Sequence, residues 1–502
     1  MSSLRPAIGV AGLCACLAAS ASAPPGPQPA ARPAAPGSPP FEQAVLLDGK
    51  PFPPVHAPSF RLADPRRTFF VEPGAGTGEG TESSPWHDLP AALRRLAPGD
   101  RLRVRAGAYG AIAIDESCAD GTETQPIQLV FDGKATLEPP EGSPAIIIAR
   151  SHWFIVGADA KLGLSPAPGI LFRGRGAHDL RLEGARLADG AGPGIRVEAE
   201  AARVEITRAT VSKAHLAGTG ESSCGIEIDG GAREVIVAGS RFANNPSGSI
   251  RVRAPEANRN AARDLQIREN TIRDGGATAI SVESADGITV ANNTLSDASG
   301  VATTRGVALA QVERASVRSN RVSGFAVGIA VGHAEPGAGP VRPAADVSVE
   351  RNFLEGVGNG TAFVVEAGRE IRILNNLSDG YANGVLLFGA PPQTENVVVA
   401  NNLFLRVSDV ALMMQSASAA ALFDYNVFSP SGQVNVEVGG KTLPLSRFLD
   451  GGTMPHTEVK SGVRVVQRDI ARIAGIETVD RGKAVPGLQF RGKAPDFGVG
   501  ER

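Results

Sequence analysis

Between residues 180 and 430 one short pattern keeps returning, and no other feature of the chain restricts its fold as much. Apolar residues alternate, a small or polar pair follows, then comes an asparagine or another small residue, then a further apolar one. It reads Leu265-Gln266-Ile267-Arg268-Glu269-Asn270-Thr271-Ile272 and again Ile288-Thr289-Val290-Ala291-Asn292-Asn293-Thr294-Leu295. Further copies lie at 317–322, 347–354, 371–377, 397–404 and 423–428, and weaker ones centre on Ala185, Ala209 and Ser240. The marker positions are 185, 209, 240, 270, 293, 320, 352, 376, 402 and 426, spaced by 23 to 32 residues. A period of that size means a solenoid, and apolar alternation with period two means strands rather than helices. Three short strands and three turns fill such a unit at about 3.3 Å per strand residue. The predicted fold is therefore all-β, a right-handed parallel β-helix.

The asparagines have a mechanical task in such a coil. At a corner between strands, asparagine tolerates the left-handed backbone conformation. Its amide can bond to the equivalent amide one coil away. Asn270, Asn293, Asn320, Asn352, Asn376, Asn402 and Asn426 are expected to form this ladder and to carry no chemistry. A second strand class opens on a small residue, as in Gly194-Ile195, Gly225-Ile226, Ser249-Ile250, Ala279-Ile280, Gly306-Val307, Gly328-Ile329 and Gly384-Val385. Its alternate residues are predicted to stack as inward apolar columns. Composition agrees: 60 glycines and 37 prolines punctuate the chain, and aromatics make up only 5%. With 50 basic against 52 acidic residues, nothing favours nucleic acid as a partner.

The ends read differently. Residues 1–16 resemble a lipoprotein-type export signal, with Arg5, a short apolar run, and Leu13-Cys14-Ala15-Cys16 as a lipobox that would make Cys16 the lipidated residue. Ala21-Ser22-Ala23 is the competing cleavage site. Residues 17–66, rich in Pro, Ala and Ser, are expected to be an extended tether. The run from Ala7 to Ala15 is far too short to span a bilayer, and no other long apolar run occurs. Residues 67–98 form the expected N-terminal cap. There Leu89, Ala92, Leu93 and Leu96 share one helix face, which would lie over the first coil. The β-helix proper is expected over 99–430, and a C-terminal cap region over 431–502.

The N-terminal part resembles the pectate-lyase-like superfamily of secreted β-helix proteins, which includes polysaccharide lyases. The resemblance rests on 69–71, Ser84-Pro85-Trp86, Ala91-Ala92-Leu93, Pro98-Gly99-Asp100, Val104-Arg105-Ala106-Gly107-Ala108-Tyr109 and residues 121–127, and on the tail at 494–501. It implies the fold over 69–502. It does not imply one reaction, because the fold hosts lyases, hydrolases and non-catalytic surface proteins.

One flank of the early coils concentrates charge. Arg196, Glu227, Arg251 and Ser281 are expected in one outward column, with Arg173, Glu198, Asp229, Arg253 and Glu283 in the next. One reading has an acidic polysaccharide gripped by Arg196, Arg251 and Arg253 together with Glu283, while Glu227 and Asp229 share a Ca²⁺. The resemblance to alginate and chondroitin lyases implies that Glu227 and Asp229 match their acidic pair, Arg251 their arginine acid, and Arg196 the place of their asparagine. Those lyases use a lysine base. No lysine occurs between Lys213 and Lys441, and Arg233, the candidate in its place, stays protonated. The other reading is a structural ladder of ion pairs. Function divides likewise: an exported protein that binds or processes polysaccharide, or a rod for protein contacts.

The seven histidines never pair at metal-ligand spacing in the sequence. Cys118 and Cys224 should lie about four coils apart, beyond the α-carbon separation of about 7 Å that a disulfide permits.

Overall fold

The computed structural model describes residues 64–162, 166–212, 224–253, 261–301, 303–332, 342–389, 393–415, 421–450 and 454–467, with 472–474, 476, 481–484 and 494–499. All of them belong to one unit, Ala44–Arg502. Cys16, its signal and the tether up to residue 63 lie outside the described residues.

Every third strand pairs with the next, so the chain winds through three sheets of fourteen strands. Sheet A collects the long strands that precede the asparagine corner, such as Ala285–Ala291 and Val312–Arg318. Sheet B collects the three-residue strands that follow it, such as Thr294–Ser296, and sheet C the Gly-Ile class, such as Ile226–Asp229. Pairing between coils is parallel and in register, for example Ile226 with Ile250, Thr271 with Thr294, and Val290 with Val317. Parallel strands joined by such crossovers wind right-handed. Inside, Ile146, Ile170, Ile195, Ile226, Ile250 and Ile280 form one unbroken, fully buried column of sheet C. Burying each such side chain contributes roughly 1.5–3 kcal/mol.

The ladder forms along the corner between sheets A and B. Asn320 Nδ2 donates to Asn352 Oδ1 at 3.0 Å and to Val290 O at 2.9 Å, and its backbone N–H donates to Asn352 Oδ1 at 3.0 Å. Its own Oδ1 accepts from Asn293 Nδ2 at 2.9 Å and from the Asn293 backbone N–H at 3.0 Å. The chain of amides runs from Asn270 to Asn426 and closes on Ser240 at one end and Thr457 at the other.

One expectation fails here. The ladder asparagines are not left-handed; the residue before each one is. Glu269, Asn292, Ser319, Arg351, Asn375, Asn401 and Tyr425 have φ between 53° and 59°. The left-handed residue turns the chain, which aims the next amide inward to its neighbours. The roughly 1–2 kcal/mol that a non-glycine residue loses in that conformation is offset by the hydrogen bonds it sets up.

At the N-terminal end Arg67–Val71 is already the edge strand of sheet A, paired with Asp100–Val104, so the sheet begins before residue 99. The helix between them is short, Leu89–Leu93, with Asp88 capping it through Ala91 N–H at 2.9 Å. Leu89, Ala92, Leu93 and Leu96 are all buried, against Asp100–Val104 and Ile112–Ile114. At the other end Lys441–Pro444 turns back antiparallel on Asn435–Val438 and leads into a second short helix, Leu445–Asp450. An antiparallel return of this kind blocks further strand addition.

The C-terminal tail does not close the rod. It lies along the side, where Asn375 Nδ2 donates to Asp496 O at 2.7 Å and Gly498 N–H donates to Asn401 O at 3.0 Å. Phe497 packs there on Phe353, Leu377, Leu403, Leu405 and Val427, the outward residues of late sheet B strands. Outward apolar residues on a sheet need such a cover.

Replacing Asn320 with Ala leaves two buried donors of Asn293 without their acceptor. It is expected to cost about 3 kcal/mol, read as a lower denaturation midpoint; an unchanged midpoint would contradict the ladder's role.

Candidate functional site

The outward column of sheet C runs Leu171, Arg196, Glu227, Arg251, Ser281, Ala308, Ala330, Val364 and Leu386. Charge is confined to three successive coils of it, and in the adjacent column Asp229 pairs in register with Arg253. The hydrogen-bonded ion pairs run diagonally rather than straight along the columns. Arg196 donates to Asp229 Oδ2 from Nη2 at 2.9 Å and from Nε at 3.1 Å. Arg251 grips Glu283 Oε1 from Nη2 at 2.5 Å and from Nε at 2.8 Å. Arg253 reaches back to Glu227 at 3.8 Å, and Arg196 lies 3.5 Å from the same carboxylate. A guanidinium on a long stem spans to the next coil and the next column together, which is why diagonal partners win over direct neighbours.

Glu227 and Asp229 are each only 4% exposed, while the arginine side chains keep an open edge, 33% for Arg196 and 36% for Arg253. The result is an acidic floor beneath an arginine roof. Burial pushes the Glu227 carboxyl above its ordinary value; Arg253 and Arg196 oppose that shift and Asp229 adds to it. Asp229 Oδ1 is buried without a hydrogen-bond partner. Ca²⁺ takes six to eight oxygens. Two carboxylates hemmed in by three guanidiniums, with Asp229 Oδ2 already taken by Arg196, do not supply that set. The geometry does not fit the ion.

The structure thus brings Arg196, Glu227, Asp229, Arg251, Arg253 and Glu283 together. It leaves Arg233 apart: exposed, on sheet A, and paired by register with Ala202 and Arg263. Among the described residues no lysine stands at this flank. The aromatic residues that a sugar would stack on are occupied elsewhere. Trp86 stacks on Phe69, and Trp153 Nε1 donates to Ala119 O at 3.0 Å. Tyr109 and Tyr381 are buried.

A cluster that spacing in the sequence did not reveal sits where sheet C hands over to sheet A. His152 and His178 meet edge to face across one coil, with ring centroids 5.7 Å apart. Asp179 lies beside both. Sequence periodicity would have found it only by placing both histidines at the strand start one coil apart. Cys118 and Cys224 are buried free thiols four coil steps apart along sheet C.

The family model of the right handed beta helix region matches residues 165–337 and 258–443, together more than half of the chain. The chain belongs to the right-handed β-helix family. Solved structures similar to it include a PL6 family alginate lyase, at 15% identity and a TM-score of 0.46, over 76% of this chain and 56% of that one. Another is a surface adhesin of Streptococcus pneumoniae, at 11% and 0.49, over 70% and 88%. A third is a GH136 lacto-N-biosidase from Eubacterium ramulus, at 13% and 0.44, over 78% and 67%. The chain spans little more than half the length of the first of these. At such identities the likeness is one of fold. No curated protein matches the sequence.

The raised Glu227 carboxyl sets a pH dependence with a definite sign. Its folded-state pKa lies above its unfolded value, so its stabilising contribution is full below the unfolded pKa and is lost as pH rises through the folded one. Glu227→Gln, compared with the parent by denaturation at about pH 5 and about pH 8, is expected to gain relative stability at the higher pH. A difference independent of pH would contradict the assignment.

Proposed function

We propose that this protein binds an acidic polysaccharide along the arginine roof of sheet C and does not cleave it by elimination. The observation that carries the reading is the placement of Arg196 and, two coils further on, Arg251 and Arg253 around a buried acidic floor, with Arg196 and Arg253 keeping open edges. Coils repeat at about 4.8 Å, so Arg196 and the Arg251–Arg253 pair stand about 9.6 Å apart along the rod, and carboxylates at that separation on an extended polymer can meet both. Each guanidinium has five N–H donors, and the intramolecular pairs leave donors for a ligand carboxylate at the open edge. Elimination needs a base that can lose its proton, and Arg233 is both apart from the floor and permanently charged.

The buried state of Trp86, Trp153, Tyr109 and Tyr381 favours a second reading, a non-catalytic scaffold or adhesin that uses the rod for protein contacts. Either reading includes export and attachment through a lipid on Cys16, and Cys16→Ser should then move the protein from the membrane fraction to the soluble one.

Binding to immobilised alginate and polygalacturonate separates the readings. Affinity should fall at least tenfold in an Arg251→Gln, Arg253→Gln double variant whose circular dichroism and melting are those of the parent. It should rise in Glu283→Gln, which removes the carboxylate that grips Arg251. Absence of affinity for both polymers would sink the proposal, and release of unsaturated products would overturn its non-catalytic part.

A further inference from the structure

His152 opens a strand of sheet A, and the register of that strand with His178–Glu183 places Asp179 one coil above it. Both residues are left-handed, at φ 57° and 55°, so both side chains leave the coil at the same corner. The His152 N–H donates to His178 O at 3.2 Å, which ties the two histidine backbones directly. Asp179 Oδ2 stands 2.7 Å from His178 Nδ1 and 3.8 Å from His152 Nε2. One ligand atom from each of the three residues falls within 4.8 Å of the others. We propose that His152, His178 and Asp179 form a binding site for a borderline divalent metal ion of the Zn²⁺ class.

Three observations bear on this chemistry. The donors are two imidazoles and one carboxylate, a set that suits Zn²⁺, Ni²⁺ or Cu²⁺ and leaves an open position for water. Bonds of about 2.1 Å put tetrahedral donors about 3.4 Å apart. The cluster therefore needs adjustments of less than about 1.5 Å, within reach of side-chain rotation. Arg203, in register above Asp179, holds both carboxylate oxygens at 2.6 Å, and its Nη2 lies 3.5 Å from His178 Nδ1. It orients the carboxylate as an outer partner orients a metal ligand, and an ion would use a remaining carboxylate lone pair and displace Nη2 from the ring nitrogen. The charge of Arg203 also disfavours Ca²⁺ and Mg²⁺, which bind through carboxylates, more than metals that bind through imidazole. The site is one corner away from the sheet C flank and does not rest on the polysaccharide reading.

Untagged, chelator-treated full-length protein titrated calorimetrically with ZnCl₂, and by visible absorption with CoCl₂, tests the proposal. One equivalent of metal is expected to bind, and Co²⁺ should give the intense visible bands of a four- or five-coordinate ion. His178→Ala and His152→Asn, the latter chosen because asparagine accepts the left-handed corner, should each weaken binding at least tenfold. His87→Ala, at a histidine bonded to Glu72 O, should leave it unchanged. If His178→Ala does not fold, the His152→Asn result decides alone. Absence of Zn²⁺ binding, or binding of equal strength in His152→Asn, would overturn the site.

Discussion

Everything in this molecule depends on successive coils lying in register, and the buried asparagine ladder is the interaction that enforces it. A parallel sheet alone tolerates slippage by two residues, since such a slip keeps the apolar face inward. The ladder does not tolerate it. Each amide from Asn293 to Asn402 spends its hydrogen-bonding capacity on its neighbours above and below and on a carbonyl of the preceding coil, so displacement by one position leaves several buried polar atoms without partners. With register fixed, the inward isoleucines of sheet C stack without gaps. The outward residues form columns whose chemistry can change from coil to coil.

The proposed binding flank is built from those changes. Along one column of sheet C the outward residues run from arginine and glutamate to serine and then to alanine, valine and leucine. The charged coils carry their own counter-ions. Burial of Glu227 and Asp229 is sustained because guanidiniums stand within 4 Å of each carboxylate, since a buried carboxylate without partners would cost several kcal/mol. The same arrangement leaves the outer edges of Arg196 and Arg253 to solvent. On sheet B the tail takes up the apolar outward residues, so that face is closed by the chain itself.

The strands, their period and the ladder positions could be read from the sequence because they recur: each marker from Ala185 to Asn426 immediately precedes a sheet B strand. The outward columns followed from the same phase, which is why Arg196, Glu227 and Arg251 do adjoin. What stayed hidden lacks recurrence or a residue signature. A left-handed position near the start of the sheet A strands is filled by residues as different as His152, Asp179, Arg203, Glu234, Asp264, Arg314, Asp346, Glu370 and Asn396, with no shared residue type to mark it, so the meeting of His152 with His178 and Asp179 was invisible. Diagonal pairing of Arg251 with Glu283 depends on side-chain length and twist, which alternation does not encode. The route of the tail depends on single contacts such as Asn375 Nδ2 with Asp496 O.

Register is therefore the claim to test first. In a protein with Cys118 and Cys224 replaced by serine, cysteines introduced at Thr271 and Thr294, neighbours on adjacent sheet B strands, are read by mass spectrometry after mild oxidation. The account predicts an intramolecular crosslink between them and none between cysteines at Thr271 and Arg321, two coils apart. A crosslink in the second pair and not in the first would contradict it.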